Sequence, residues 1–358
     1  MTDKTDKIPV VGITIGEING IGPEVIVKAL RDNRILASFT PIIYGTNKAI
    51  SFYKKLLNLH EFNFQTIKTA NEVQAKKINL INISTDDFEI TPGIPTEHSG
   101  KISYKALECA TQDLSEGKID VLVTAPISKE NIQKAGFKFP GHTEFLAEMS
   151  GVKDALMILT SGDLRVALVT IHIPVAEVSK HLTKENLTDK IRSLEASLKK
   201  DFNIVKPKIA VFGLNPHAGE NGKIGSEEQQ VIIPAIQHLK NEGILVFGPF
   251  AADGFFGSQA RSQYDGILAM YHDQGLTAFK ALAFEDGVNY TAGLPIIRTS
   301  PDHGTAFDIS GKGTASEESM RSAIFQAIDI WKNRRFQKEI NRNPLVIQTS
   351  ENKKDEDL

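Results

Sequence analysis

Short apolar, β-branched runs alternate along this chain with longer segments of helical periodicity, and that alternation limits the fold more than any other feature. The runs VVGITI, PIIYG, KINLINI, DVLVTAP, RVALVTIH, KIAVFGLN and GILAMYH are apolar nearly throughout rather than at every second position. Strands of that kind are covered on both faces, as in a parallel sheet between helical layers. Helical patterns separate them: GPEVIVKALRD, TKENLTDKIRSLEASLKKD and SEEQQVIIPAIQHLKNEG. In the last, Val231, Ile232, Ala235, Ile236 and Leu239 form one stripe, and Gly243 is placed as a C-cap. The expected class is α/β with a largely parallel sheet. A chain of 358 residues is long enough for two lobes.

Composition narrows the function. The net charge is −3 and no basic stripe stands out, which argues against a nucleic-acid partner. A single cysteine, Cys109, rules out an internal disulfide and a cysteine metal cluster. It lies in the amphipathic run SGKISYKALECATQDLSEG and reads as a packed helix residue. No apolar run has the length of a membrane span, and MTDKTDK lacks the apolar region of a signal peptide, so a cytoplasmic protein is expected. From 336 to 358 the chain turns polar and ends in a charge run, which reads as a flexible tail.

Three of the nine histidines share a placement. His172, His217 and His272 each stand at or just past the end of an apolar strand run. Ligands bind at that edge of open α/β sheets, and neutral imidazole is a common metal ligand. A loop histidine held by hydrogen bonds is the alternative for each. The loop GLNPHAGENGKIGSEEQQ adds Gly213, Gly219, Gly222 and Gly225, with Ser226 as the expected helix cap before Glu227 and Glu228. Strand, glycine loop and helix start together suggest contact with an anion; an ordinary strand-to-helix loop is the alternative. Neither this loop nor GEINGIGPE has the GxGxxG spacing of a Rossmann cofactor site. In FPGHTEFLAE, Thr143 either caps a helix or binds phosphate, beside His142. PDHGTAFDISGKGTA gathers Asp302, His303, Thr305, Asp308 and Lys312 among glycines, a composition suited to a binding loop. Lys280 and Arg298 are single cations near these loops.

GHTEFLA, HIP, GLNPHAGENG, MYHDQGL and PDHGTAFDISGKG, in that order, closely resemble the 4-hydroxythreonine-4-phosphate dehydrogenase family of pyridoxal 5′-phosphate biosynthesis, from about Pro9 to about Arg335. The resemblance implies a two-lobed α/β/α fold like that of isocitrate and isopropylmalate dehydrogenases, which binds NAD without a Rossmann fingerprint. One lobe would take 1–130 with about 300–335, and the other 131–299. It implies a homodimer with the active site at the subunit interface. By motif, the metal ligands fall on His172, His217 and His272, and substrate contacts on His142, Thr143, Lys280, Asn289 and Arg298. Asp253 in AADGFF resembles an acid near the metal site, with a role in proton handling or support of the metal ligands. Gly213, Asn215 and Gly219 are the cofactor-binding candidates. GEINGIGPE departs from the family's GDPAGIGPE-like turn, which leaves the role of Glu17 open.

The activity so implied is NAD-dependent oxidation of 4-phosphooxy-L-threonine at C3 and decarboxylation of the β-keto acid, with one divalent ion serving both steps. NADP is the alternative cofactor. An all-imidazole set suits zinc, cobalt or nickel better than magnesium, which prefers oxygen, and zinc, cobalt, magnesium and manganese are the candidate ions. A sister enzyme acting on 4-phosphothreonate or 4-phosphoerythronate is the nearest rival. A non-catalytic phosphometabolite-binding protein is the other, and the intact histidines and GHTE speak against it.

Overall fold

The computed structural model describes residues 7–343, and among them twelve strands join in one sheet. They are β1 (Val10–Thr14), β2 (Thr40–Gly45), β3 (Phe64–Ile67), β4 (Ile78–Asn82), β5 (Val121–Thr124), β6 (Leu156–Ser161), β7 (Leu164–Leu168), β8 (Ile209–Phe212), β9 (Val246–Phe250), β10 (Gly266–Ala269), β11 (Val288–Ala292) and β12 (Arg298–Pro301). Their order is β3-β4-β2-β1-β5-β12-β11-β6-β7-β10-β8-β9. Only the pairings β12/β11, β11/β6 and β6/β7 are antiparallel. The sheet thus has a parallel half at each end, with antiparallel strands at its centre. The apolar runs behave as their composition requires: every residue of β2, β5, β8 and β10 is buried.

The helix Glu318–Ile340 spans the centre of the sheet and continues past the change in composition at 335. Residues 336–340, expected in the tail, are therefore helical; residues 344–358 lie outside the described part. No described helix is long and apolar enough to cross a membrane.

A buried polar cluster ties this helix to the sheet. Asp201 ends the helix Lys184–Lys200 and is 2% exposed. Its carboxylate accepts from Arg334 Nε, Tyr290 Oη and Ser197 Oγ at 2.7, 2.7 and 2.8 Å. Tyr290 belongs to β11, so three elements meet at one carboxylate. Removing one partner of a buried ion pair leaves the other charge without compensation. Asp201→Ala should therefore lower the unfolding free energy by about 3–5 kcal/mol, read from urea denaturation. A loss under about 1 kcal/mol, the surface-pair range, would show that the cluster contributes little.

The GEINGIGPE turn packs beneath the edge of the sheet. Gly16 has φ +66°, and a Cβ there would stand 2.4 Å from the Pro126 carbonyl oxygen. Glu17 is fully buried. Its carboxylate accepts from the Asn19 backbone N–H and from Asn131 Nδ2, both at 3.1 Å. Asn19 in turn accepts from Thr91 N–H and donates to the Ile94 carbonyl. Glu17 holds the turn against the segment that follows β5.

Candidate active site

Strands β7, β10 and β8 are parallel neighbours, so His172, His217 and His272 all leave from the same edge of the sheet. The rings of His172 and His272 come together, with centroids 6.1 Å apart and planes tilted by 39°. His272 Nδ1 lies 2.7 Å from Asp273 Oδ1, and His172 Nδ1 lies 3.9 Å from Glu144 Oε1. His217 does not join them. Among the described residues, no three histidine, cysteine, aspartate or glutamate side chains stand close enough to hold one metal ion.

His217 opens an unusual turn. Residues 217–221 all have left-handed backbone, with φ of 53, 50, 76, 41 and 58°. Only Gly219 adopts that region freely; for other residues it costs roughly 1–2 kcal/mol each. The turn is held from within. Asn215 donates its backbone N–H and its amide to the Glu228 carboxylate at 2.7 and 2.9 Å, and its amide also reaches Glu227. A Cβ on Gly219 would meet Glu228 Oε2, and one on Gly213 would meet Ala218. Of the cofactor candidates, Asn215 and Gly219 thus pack on the Glu228 side chain, while Gly213 donates its N–H to the Phe250 carbonyl and accepts from Gln274 Nε2. The anion suggested for this helix start is supplied by the chain's own carboxylates.

The helix cap predicted at Ser226 is not formed by its side chain. Helical structure starts at Glu228 as a wide turn, Glu228–Ile232, before Ile233–Asn241. Pro234 has no N–H to give to the preceding turn, and the wider turn accommodates it.

The substrate-binding candidates do meet. His142, Thr143, Lys280, Asn289 and Arg298 all line one cavity of about 260 Å³, which also reaches Lys129, Glu144, His172, Asp302 and His303. Arg298 is 3% exposed. It donates to Thr124 Oγ1 at 2.7 and 3.1 Å and to Thr291 Oγ1 at 3.0 Å. These are hydroxyls, and no carboxylate is hydrogen-bonded to it. Burial lowers its pKa to about 10, which still leaves it charged at neutral pH. Its hydrogen-bond partners are neutral, and the Glu144 carboxylate acts on it only through its charge, so an arriving anion can still pair with the guanidinium.

His142 begins the helix His142–Met149 directly after Gly141, so Thr143 does not cap it. The His142 Nε2 is buried and has no hydrogen-bond partner among the described residues. Burial first, then Arg298 and Lys129, hold it well below the usual histidine range, so the ring is neutral. Lys280 Nζ lies 3.3 Å from Asp302 Oδ1 and donates to the Asp302 carbonyl at 3.2 Å. Asn289 Oδ1 and His303 Nε2 are also buried without partners. Three orphan polar atoms on residues that line one cavity mark a place built for a polar ligand. Asp253 is exposed on the short helix Ala252–Phe256 and lies outside this cavity.

The family model for "Pyridoxal phosphate biosynthetic protein PdxA" matches residues 37–327. The chain belongs to this family. A 4-hydroxythreonine-4-phosphate dehydrogenase of Bacteroides thetaiotaomicron is 50% identical over 348 residues, covering 97% of this chain and 95% of that protein. A relative from Oceanobacillus iheyensis, named for D-threonate 4-phosphate, is 42% identical over 90% of this chain and 98% of its own length. The crystal structure of 4-hydroxythreonine-4-phosphate dehydrogenase from Klebsiella pneumoniae superposes with a TM-score of 0.78 at 34% identity, covering 93% of this chain and all of that one.

Two further lining groups of this PdxA-family chain, Lys129 and His303, carry a signal in the sequence. Lys129 follows the end of β5 in TAPISKE, the same kind of position that marked the histidines. His303 lay in a loop whose composition suggested binding. Glu144 is different: only the fold brings it beside His172, which with other contacts holds its carboxyl below the ordinary range.

Proposed function

We propose that this chain is an NAD-dependent dehydrogenase that oxidises 4-phosphooxy-L-threonine at C3, with loss of CO₂ to give 3-amino-2-oxopropyl phosphate for pyridoxal 5′-phosphate synthesis. The observation that carries this reading is Arg298, a buried guanidinium without a carboxylate partner, in a cavity shared with His142, Thr143 and Lys280. That set suits a phosphate on a small acid: the arginine fork and lysine supply charge, and the threonine hydroxyl supplies a directed donor. Asn289 adds an unpartnered acceptor for the amine or hydroxyl end. Anchoring both ends of the substrate fixes C3, and orientation of that kind can contribute several kcal/mol to the rate.

His172 and His272 fit two ligands of an imidazole-bound ion; His217, which does not join them within the same chain, is assigned to complete the set across a homodimer interface. A divalent ion there would supply Lewis acidity for oxidation and for decarboxylation, and bound nicotinamide, from NAD or NADP, the hydride acceptor. The two ends of the sheet serve as the two lobes, 1–130 with about 300–335 and 131–299.

The Oceanobacillus relative favours a second substrate, D-threonate 4-phosphate, which carries the same phosphate. Product analysis tests the first reading. Incubation of 4-phosphooxy-L-threonine with NAD and a divalent ion should release NADH and CO₂ in equal amounts and leave 3-amino-2-oxopropyl phosphate, seen by mass. NADH without CO₂ would remove the decarboxylation step from the account.

A further inference from the structure

Oxidation of an alcohol needs a group to take the hydroxyl proton, and two imidazoles that line the cavity, on His142 and His303, each have a buried Nε2 without a partner. They differ in what surrounds them. His303 Nδ1 lies 3.1 Å from the Gly304 carbonyl oxygen. A carbonyl only accepts, so Nδ1 carries the hydrogen and Nε2 keeps its lone pair. That lone pair is buried and has no partner among the described residues.

We infer that His303 is the proton acceptor of the reaction, with Nε2 facing the substrate hydroxyl and Nδ1–H anchored on Gly304. This rests on the dehydrogenase reading above. In the step, the C3–H bond breaks with its electron pair leaving for the nicotinamide. The O–H bond breaks, its proton forms a new bond to Nε2, and its electron pair closes the C3 carbonyl. The ring ends as an imidazolium, so the groups around it decide whether it can serve. Asp302 adjoins it, and with the Gly304 carbonyl it favours the charged ring; burial, first, and Lys280 oppose it. Lys280 is itself paired with Asp302 at 3.3 Å, which blunts its repulsion. His142 has no such support, because the charges acting on it, Arg298 and Lys129, are both positive. His303 is neutral at rest and can be charged in the step; His142 is held neutral and is left to donate or accept a hydrogen bond.

Two readouts test this. Substrate-free protein labelled with ¹⁵N-histidine should show His303, assigned through the backbone, as the Nδ1–H tautomer at neutral pH, protonating only below the ordinary histidine range. The Nε2–H tautomer, or a ring already doubly protonated at neutral pH, would overturn the role. In turnover, His303→Gln should lower kcat by roughly 10²–10⁴-fold, as loss of a general base does, with KM nearly unchanged and the acidic limb of the kcat profile gone. Imidazole added to His303→Ala should restore part of kcat in proportion to its free-base concentration. An active wild type with an equally active His303→Gln would reject His303 alone. A wild type inert toward the phosphorylated amino acid would reject the substrate assignment, and this role with it.

Discussion

Arg298→Ala should cut kcat/KM for the phosphorylated substrate by about 10- to 150-fold, the range set by losing a charge-assisted hydrogen bond of roughly 1.5–3 kcal/mol. The guanidinium is already buried and held by Thr124 and Thr291, so its desolvation is complete before the ligand arrives. The anion therefore gains most of the charge attraction. Arg298→Lys should recover little, since one ammonium cannot reach both threonines and present a fork to phosphate. Lys280→Ala should raise KM less, because its side chain is 40% exposed and already shares Asp302. Unchanged kinetics in both alanine variants would place the anion elsewhere.

The second large effect concerns subunit assembly. His172 and His272 meet within one chain, whereas His217 stands apart. If His217 reaches the pair of the partner subunit, His172→Ala and His217→Ala should each be inactive alone and should each lose bound metal. Mixed after subunit exchange, they form heterodimers in which one site collects both defects and the other neither. With random pairing, about a quarter of wild-type activity should return. Zero recovery, with heterodimers confirmed by mass, would mean that the three histidines converge within a single chain. Removal of metal by a chelator should abolish NADH formation in wild type, and restoring a divalent ion should recover it.

The parallel framework was legible because burial on both faces leaves a continuous apolar run, as in β2, β5, β8 and β10. The strands without that mark have physical reasons for lacking it. β3, FQTI, is one of the two edge strands and only one of its residues is buried. β12, RTSP, is wholly buried yet polar, because Thr124 and Thr291 answer Arg298 and a helix carbonyl answers Thr299. At the site, strand ends located the histidines, since that edge follows from strand direction alone. Their distances did not follow. Whether His172 meets His272 or His217 depends on the left-handed run at 217–221, which only one glycine announces. The use of Asn215 and Gly219 inside their own loop was equally hidden, because it is Glu228, a helix residue, that fills the space. The orphan nitrogens of His142 and His303 become visible only once the fold has set which polar groups pair and which do not.

The most direct test of the account is a comparison of kcat/KM, by NADH absorbance under saturating NAD and divalent ion, for 4-phosphooxy-L-threonine, D-threonate 4-phosphate and unphosphorylated 4-hydroxythreonine. The highest value should belong to 4-phosphooxy-L-threonine, with a loss of at least about 10-fold without the phosphate, the lower bound of a charge-assisted contact. Faster turnover of D-threonate 4-phosphate would transfer the site to the sugar acid, and equal turnover with and without phosphate would contradict the role given to the Arg298 cavity.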